Sequence, residues 1–101
     1  MKKFISSKFR IKSNDILFED GNRLKKKKKK IFKDSPIITI ITVVKNNEKY
    51  LEETIKSVLN QKYKNLEYII IDGASKDGSI NIIKKYLKKI DYVISQKDKN
   101  L

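Results

Sequence analysis

The 101-residue chain contains no cysteine and no histidine. Without cysteine there is no disulfide framework, and without either residue there is no Cys/His zinc site. Ser-His and Cys-His nucleophilic machinery is excluded on the same ground. A metal would have to be held by carboxylates, as hard magnesium or manganese ions are. Glycine is scarce, at 3 residues, and proline is single. A dinucleotide fingerprint needs closely spaced glycines after the first strand, and a P-loop needs a glycine-rich turn; neither is present. No apolar run approaches the ~20 residues of a membrane-spanning helix. Lys8, Arg10 and Lys12 interrupt any signal-peptide core behind Lys2 and Lys3. The expected location is cytoplasmic, or peripheral at the inner face of a membrane.

What is present is charge of one sign. The net charge is +13, with 39% apolar and 37% charged residues. Residues 1–34 hold 13 Lys/Arg against 4 Asp/Glu, and residues 35–101 hold 12 against 8. The size allows one small domain. The division expected is a basic, poorly ordered extension over 1–34 and a folded region over 35–101. Within the extension Ile16-Leu17-Phe18 is a short apolar patch, and Glu19-Asp20-Gly21-Asn22 reads as a turn. Lys25 to Lys30 is an unbroken lysine run that repels itself into an extended, solvated segment. Against anionic lipid it would gain about 1 kcal/mol per lysine near the surface. It lacks interleaved aromatics and a reading helix, so nucleic-acid binding is disfavoured.

Pro36 marks a boundary. All eight residues from Ile37 to Val44 are β-branched and only Thr39 and Thr42 are polar, which favours a strand. The lack of alternation predicts a strand covered on both faces. Lys45-Asn46-Asn47 is a turn in which an asparagine can cap a helix. Leu51, Ile55, Val58 and Leu59 then fall on one helical stripe, predicting a helix near 48–60. Leu66 to Asp72 is a second apolar strand ending on a carboxylate. Ile80, Ile83, Leu87 and Ile90 mark a second helix, near 79–89, and Tyr92-Val93-Ile94-Ser95 is a third strand. Strand-helix-strand-helix-strand implies an α/β fold with parallel strands and right-handed crossovers. Ligands of such sheets bind beyond the carboxyl ends of the strands, here at Lys45–Asn47, Gly73–Ser79 and Gln96 onward.

Two polar side chains end these strands. Thr42 offers a hydroxyl, although a buried strand threonine needs no further role. Asp72 can accept from a ribose hydroxyl or a base N–H. Equally, it can be a turn-former before Gly73, its side chain bonding its own backbone.

The segment Pro36 to Val44 followed by Asn46 resembles the opening strand of family 2 glycosyltransferases. Leu51 to Gln61, with its Ser-Val-Leu-Asn-Gln ending, looks like that family's first helix. Glu67 to Ser79 looks like its second strand and loop, and Ile90 to Lys99 resembles its third strand and the acidic loop beyond. The resemblance implies an N-terminal part of a GT-A domain, a Rossmann-like α/β fold that binds a nucleotide-diphosphate sugar, most simply a UDP-sugar. It implies that Thr42, Asp72 and Asp98 contact the nucleoside, and that Ser75, Asp77 and Ser79 are structural, with Asp77 or Ser79 capping the second helix. A divalent cation, magnesium or manganese, is implied for the full-length family, with inverting transfer to a glycan or lipid-linked acceptor in cell-surface polysaccharide synthesis.

Three positions depart from the family pattern: Lys45 stands for an aromatic residue, Asn47 for glycine and Lys76 for threonine. Asn47 still tolerates a left-handed turn. Lys45 removes a ring that would pack on the nucleoside. The sequence also holds no Asp-x-Asp pair, the family's metal motif, and the catalytic base lies further along in the family. The cation neutralises the departing diphosphate and the base deprotonates the acceptor hydroxyl. The expectation is therefore a donor-binding fragment that is inactive alone. The alternative is a non-catalytic module that holds a nucleotide, or a membrane through its lysines.

Overall fold

The structure, a computed structural model, describes residues 15–24 and 36–97. The β-branched and apolar runs form β2 (Ile38–Val44), β3 (Leu66–Asp72) and β4 (Tyr92–Gln96). A further strand, β1 (Ile16–Asp20), comes from the segment that the sequence assigned to a poorly ordered extension. Helices α1 (Glu48–Leu59) and α2 (Ser79–Lys85) connect the parallel strands. The four strands make one sheet in the order β1-β4-β3-β2. β2, β3 and β4 run parallel, with Thr42 opposite Ile70 and Asp72 opposite Ser95, and β1 lies antiparallel on β4. The architecture is the α/β, partial GT-A arrangement expected, here with a mixed sheet.

Both crossovers step in the same direction across the sheet, so right-handedness puts both helices on one face. There Leu51 and Ile55 of α1 and Ile83 of α2 pack on Val44, Tyr68, Ile70 and Val93, with Ile90 closing the cluster. Val58, Leu59, Ile80 and Leu87 pack around it as the two stripes predict. α2 is shorter than expected: it stops at Lys85, and a 3₁₀ turn spans Leu87–Lys89. The tightening follows from Ile90, which is fully buried and whose N–H reaches back to the Leu87 carbonyl at 3.2 Å.

The opposite face carries a smaller cluster of Ile69, Tyr92 and Ile94, with Ile16, Leu24 and Ile71 against it. β2 is not covered on both faces. It is one of the two edge strands, and Ile38, Ile41 and Val43 are 45–55% exposed. An apolar run without alternation cannot distinguish a central strand from an edge strand with one open face.

Candidate functional site at the carboxyl edge of the sheet

The turns that follow β2 and β3 are tied to each other. Parallel pairing sets Val44 beside Asp72, and the Gly73 N–H continues the ladder to the Val44 carbonyl at 2.9 Å. The left-handed residue of this turn is Asn46, φ 47°, and not Asn47, where the sequence pattern places it and whose φ is −131°. Asn46 then bridges the two turns. Its N–H donates to Ser75 Oγ at 2.8 Å, and its Oδ1 accepts from the Lys76 N–H at 2.7 Å.

The amino end of α1 is satisfied from the same neighbouring loop. Asn47 occupies the cap position without a side-chain capping bond. Instead the Asn47 N–H donates to Ser79 Oγ at 3.3 Å and the Glu48 N–H to Asp77 Oδ2 at 3.1 Å. Asp77 also accepts from the Ser79 N–H at 2.9 Å, so one carboxylate caps both helices. The hydrogen bond from the Ser79 side chain, then those from backbone N–H groups, hold the Asp77 carboxyl below its ordinary value.

Asp72 lies at the end of β3 with no exposed surface. Its Oδ1 accepts from Ser75 Oγ at 2.5 Å, and its Oδ2 accepts from the Ser75 N–H at 2.9 Å and from Ser95 Oγ at 2.7 Å. Ser95, directly opposite on β4, is itself buried. No cation takes part in these three bonds. Ala74, between the carboxylate and Ser75, is forced to φ 58°. Thr42 is half-buried on the helix-bearing face, its hydroxyl sharing a hydrogen bond with the Tyr68 hydroxyl at 2.8 Å. Burial raises the Tyr68 phenol above its ordinary value, and the Thr42 bond partly offsets that. The third sequence candidate, Asp98, lies outside the described residues, as does the Lys25–Lys30 run.

The structure thus brings Asp72 to the expected edge and gives it partners within the protein. Ser95 and Asn46 were not singled out as site residues from sequence. The signal for Asn46 was its place in a turn lacking glycine; for Ser95 it was a lone polar residue in an apolar strand, at the position the parallel register sets against Asp72. Among the described residues no three of His, Cys, Asp or Glu come together to hold a metal ion. No described helix is long and apolar enough to cross a membrane.

The model of the glycosyl transferase family 2 matches residues 39–101, which takes in β2, α1, β3, α2, β4 and all three loops of this edge. The chain belongs to glycosyl transferase family 2. Over 54 residues it is 50% identical to an uncharacterized glycosyltransferase of Haemophilus influenzae, covering 54% of this chain and 22% of that one. Over 51 residues it is 45% identical to the putative glycosyltransferase EpsE of Bacillus subtilis, covering 50% and 18%. The putative teichuronic acid biosynthesis glycosyltransferase TuaG of the same species is 41% identical over 56 residues, 55% and 22% of the two chains. The matched part thus spans about a fifth of these relatives' lengths. No solved structure matches the chain.

Proposed function

We propose that these residues are the donor-holding part of an inverting glycosyltransferase that takes a nucleotide-diphosphate sugar, a UDP-sugar first. The observation that supports this most is the position of the stitched loops. They lie beyond the carboxyl ends of the parallel strands β2 and β3, where α/β sheets bind nucleotides, and within the family 2 match. Thr42, Asp72 and Asp98 are the side chains proposed for the nucleoside. Asp72 acts chiefly through the loop it shapes, because a base or ribose reaches its carboxylate only where Ser95 or Ser75 gives up a bond. In the whole enzyme a magnesium or manganese ion would neutralise the leaving diphosphate, and a base would deprotonate the acceptor hydroxyl. The present sequence has no Asp-x-Asp pair, so transfer is not assigned to these residues. The names of EpsE and TuaG suggest cell-surface polysaccharide synthesis, with a glycan or lipid-linked acceptor.

Calorimetric titration of UDP tests the reading. Binding with a dissociation constant at or below about 1 mM, absent for inorganic phosphate, is the expected result. No heat for UDP from the folded chain would remove the nucleotide reading.

The second reading, a peripheral contact with anionic lipid through Lys25–Lys30, has one geometric point in its favour. Arg23 and Pro36, on either side of residues 25–35, bond to Asp91 and Tyr63, which precede the amino ends of β4 and β3. A membrane met from that side leaves the loop edge open. Sedimentation with vesicles containing phosphatidylserine should fall when the six lysines are changed to glutamine; unchanged sedimentation would exclude it.

A further inference from the structure

β1 lies ahead of residue 39, where the family match begins, yet it is built into the sheet from both ends and both faces. At the loop edge the Lys97 N–H donates to the Asp15 carbonyl at 2.8 Å. At the opposite edge the Asn22 and Arg23 N–H groups donate to the Ile90 and Asp91 carbonyls at 3.0 and 2.8 Å, and Asn22 Nδ2 donates to the Lys88 carbonyl at 2.8 Å. Phe18 packs on the helix-side cluster, with Lys84 Nζ 5.2 Å from its ring centre, while Ile16 and Leu24 pack on the other face. The Tyr92 hydroxyl bonds to the Glu19 carboxylate, and Arg23 pairs with Glu67 of β3. Gly21 makes the closing turn at φ 123°, so close to β4 that an added Cβ would lie 2.8 Å from the Asp91 carbonyl oxygen and the Tyr92 Cα.

We propose that residues 15–24 are a built-in strap, a strand from outside the family-matched region that seals the outer edge of β4 and fixes the segment by which β4 leaves the sheet. Without it, β4 would present a bare edge ready to pair with another copy of the chain. The same strap sets where Gln96 and Lys97 point, because Ile16 pairs with Gln96 and Asp15 accepts from Lys97. Gln96 and Lys97 begin the third loop of the carboxyl edge, so a strand far ahead in sequence sets where that loop starts. The strap does not depend on the nucleotide reading and stands or falls separately from it.

The absence of cysteine makes the test direct. Antiparallel partners lie about 4.5–5.5 Å apart at Cα, within disulfide range. Ile16→Cys with Gln96→Cys in the full chain should oxidise to an intramolecular disulfide at least about tenfold faster than Ile16→Cys with Lys45→Cys, which sits at the far side of the sheet. Gly21→Val should open the strap. Hydrogen exchange at the Lys97, Asn22 and Arg23 amides should then rise about tenfold or more while the Ile55 amide in α1 stays protected. Equal oxidation rates in the two cysteine pairs would overturn the proposal, and so would unchanged exchange at Lys97 in Gly21→Val. Where Gly21→Val unfolds the chain, seen as lost protection at Ile55, the cysteine pairs alone decide.

Discussion

Replacing Asp72 by alanine removes the shared acceptor of the Ser75 N–H, Ser75 Oγ and Ser95 Oγ. Hydrogen bonds to a charged group contribute about 1.5–3 kcal/mol each, and a buried donor left unsatisfied costs about 1–3 kcal/mol. Ser95 is buried away from water, whereas the half-buried Ser75 can recover part of its loss from water. The net cost of Asp72→Ala is therefore about 3–5 kcal/mol, comparable with the whole stability of a small domain, roughly 5–15 kcal/mol. Asparagine is different. Its Oδ1 can accept from the Ser75 N–H and Ser95 Oγ, and its Nδ2 can donate to Ser75 Oγ, which still accepts from the Asn46 N–H. The charge assistance is lost and the half-buried Ser75 hydroxyl proton must turn to water, together about 1–2 kcal/mol. Far-ultraviolet circular dichroism with urea, checked for two-state behaviour, separates the two. Asp72→Ala should be largely unfolded in buffer and Asp72→Asn folded with a slightly lower midpoint. Equal losses in the two variants, or a loss under about 1 kcal/mol for alanine, would refute the network as the reason Asp72 is there. UDP titration into folded Asp72→Asn adds the ligand side: a direct contact would weaken binding about ten- to a hundredfold, while a loop-shaping role leaves the dissociation constant nearly unchanged.

Ala74 sits at φ 58°, a conformation that is costly for any residue with a Cβ, so Ala74→Gly should raise the urea midpoint by the equivalent of about 0.5–1 kcal/mol. The Asp77 carboxyl is depressed in the fold, so its contribution is fully present above its ordinary value of 3.8 and is lost as pH falls through the lower folded value. Stability measured from pH 5 down to pH 2 should fall, and Asp77→Asn should flatten that fall. Tyr68 and Tyr92 are raised above 10.0, chiefly by burial, so they destabilise the fold only as pH climbs past that value; Tyr92→Phe should lessen the alkaline loss seen in a base titration. The edge strand β2 presents Ile41 and Val43 to solvent, and the isolated chain should self-associate and unfold below the usual range of about 45–65 °C; Ile41→Lys with Val43→Lys should reduce scattering.

The elements legible in the sequence were those whose signal is local. β2 and β3 are written as β-branched and apolar runs, and α1 as the stripe of Leu51, Ile55, Val58 and Leu59. β1 was not legible because its evidence is distant. It has five residues without clean alternation, and what makes it a strand is β4, with Glu19 and Tyr92 separated by 73 positions. Its turn was readable, since Asp20-Gly21-Asn22 is turn chemistry, but not the close approach that makes Gly21 necessary. The site divides in the same way. Strand ends located Asp72, whereas its partners depended on a register that sets Ser95 opposite it and on a left-handed Asn46 that reaches the Ser75 loop.

The stitching of the two loops also bears on which end of a nucleotide this edge can hold, given the donor-binding proposal. In folds that bind the pyrophosphate at a helix amino terminus, backbone N–H groups there are open to the anion. At α1 the first two are already engaged: Asn47 and Glu48 donate to Ser79 and to the Asp77 carboxylate. A phosphate at that position would have to displace a carboxylate that also caps α2, and would meet the Glu48 side chain beside Gly78. Negative charge next to negative charge costs rather than gains. On that proposal the nucleoside, not the diphosphate, is the part these loops favour. Uridine should consequently bind the chain within about threefold of UDP, a difference under 1 kcal/mol. Competition titrations of uridine, UMP and UDP measure this directly. UDP binding a hundredfold or so tighter than uridine, and persisting in Asp77→Asn, would mean that the diphosphate is held by groups in this part of the chain that the loop geometry does not provide.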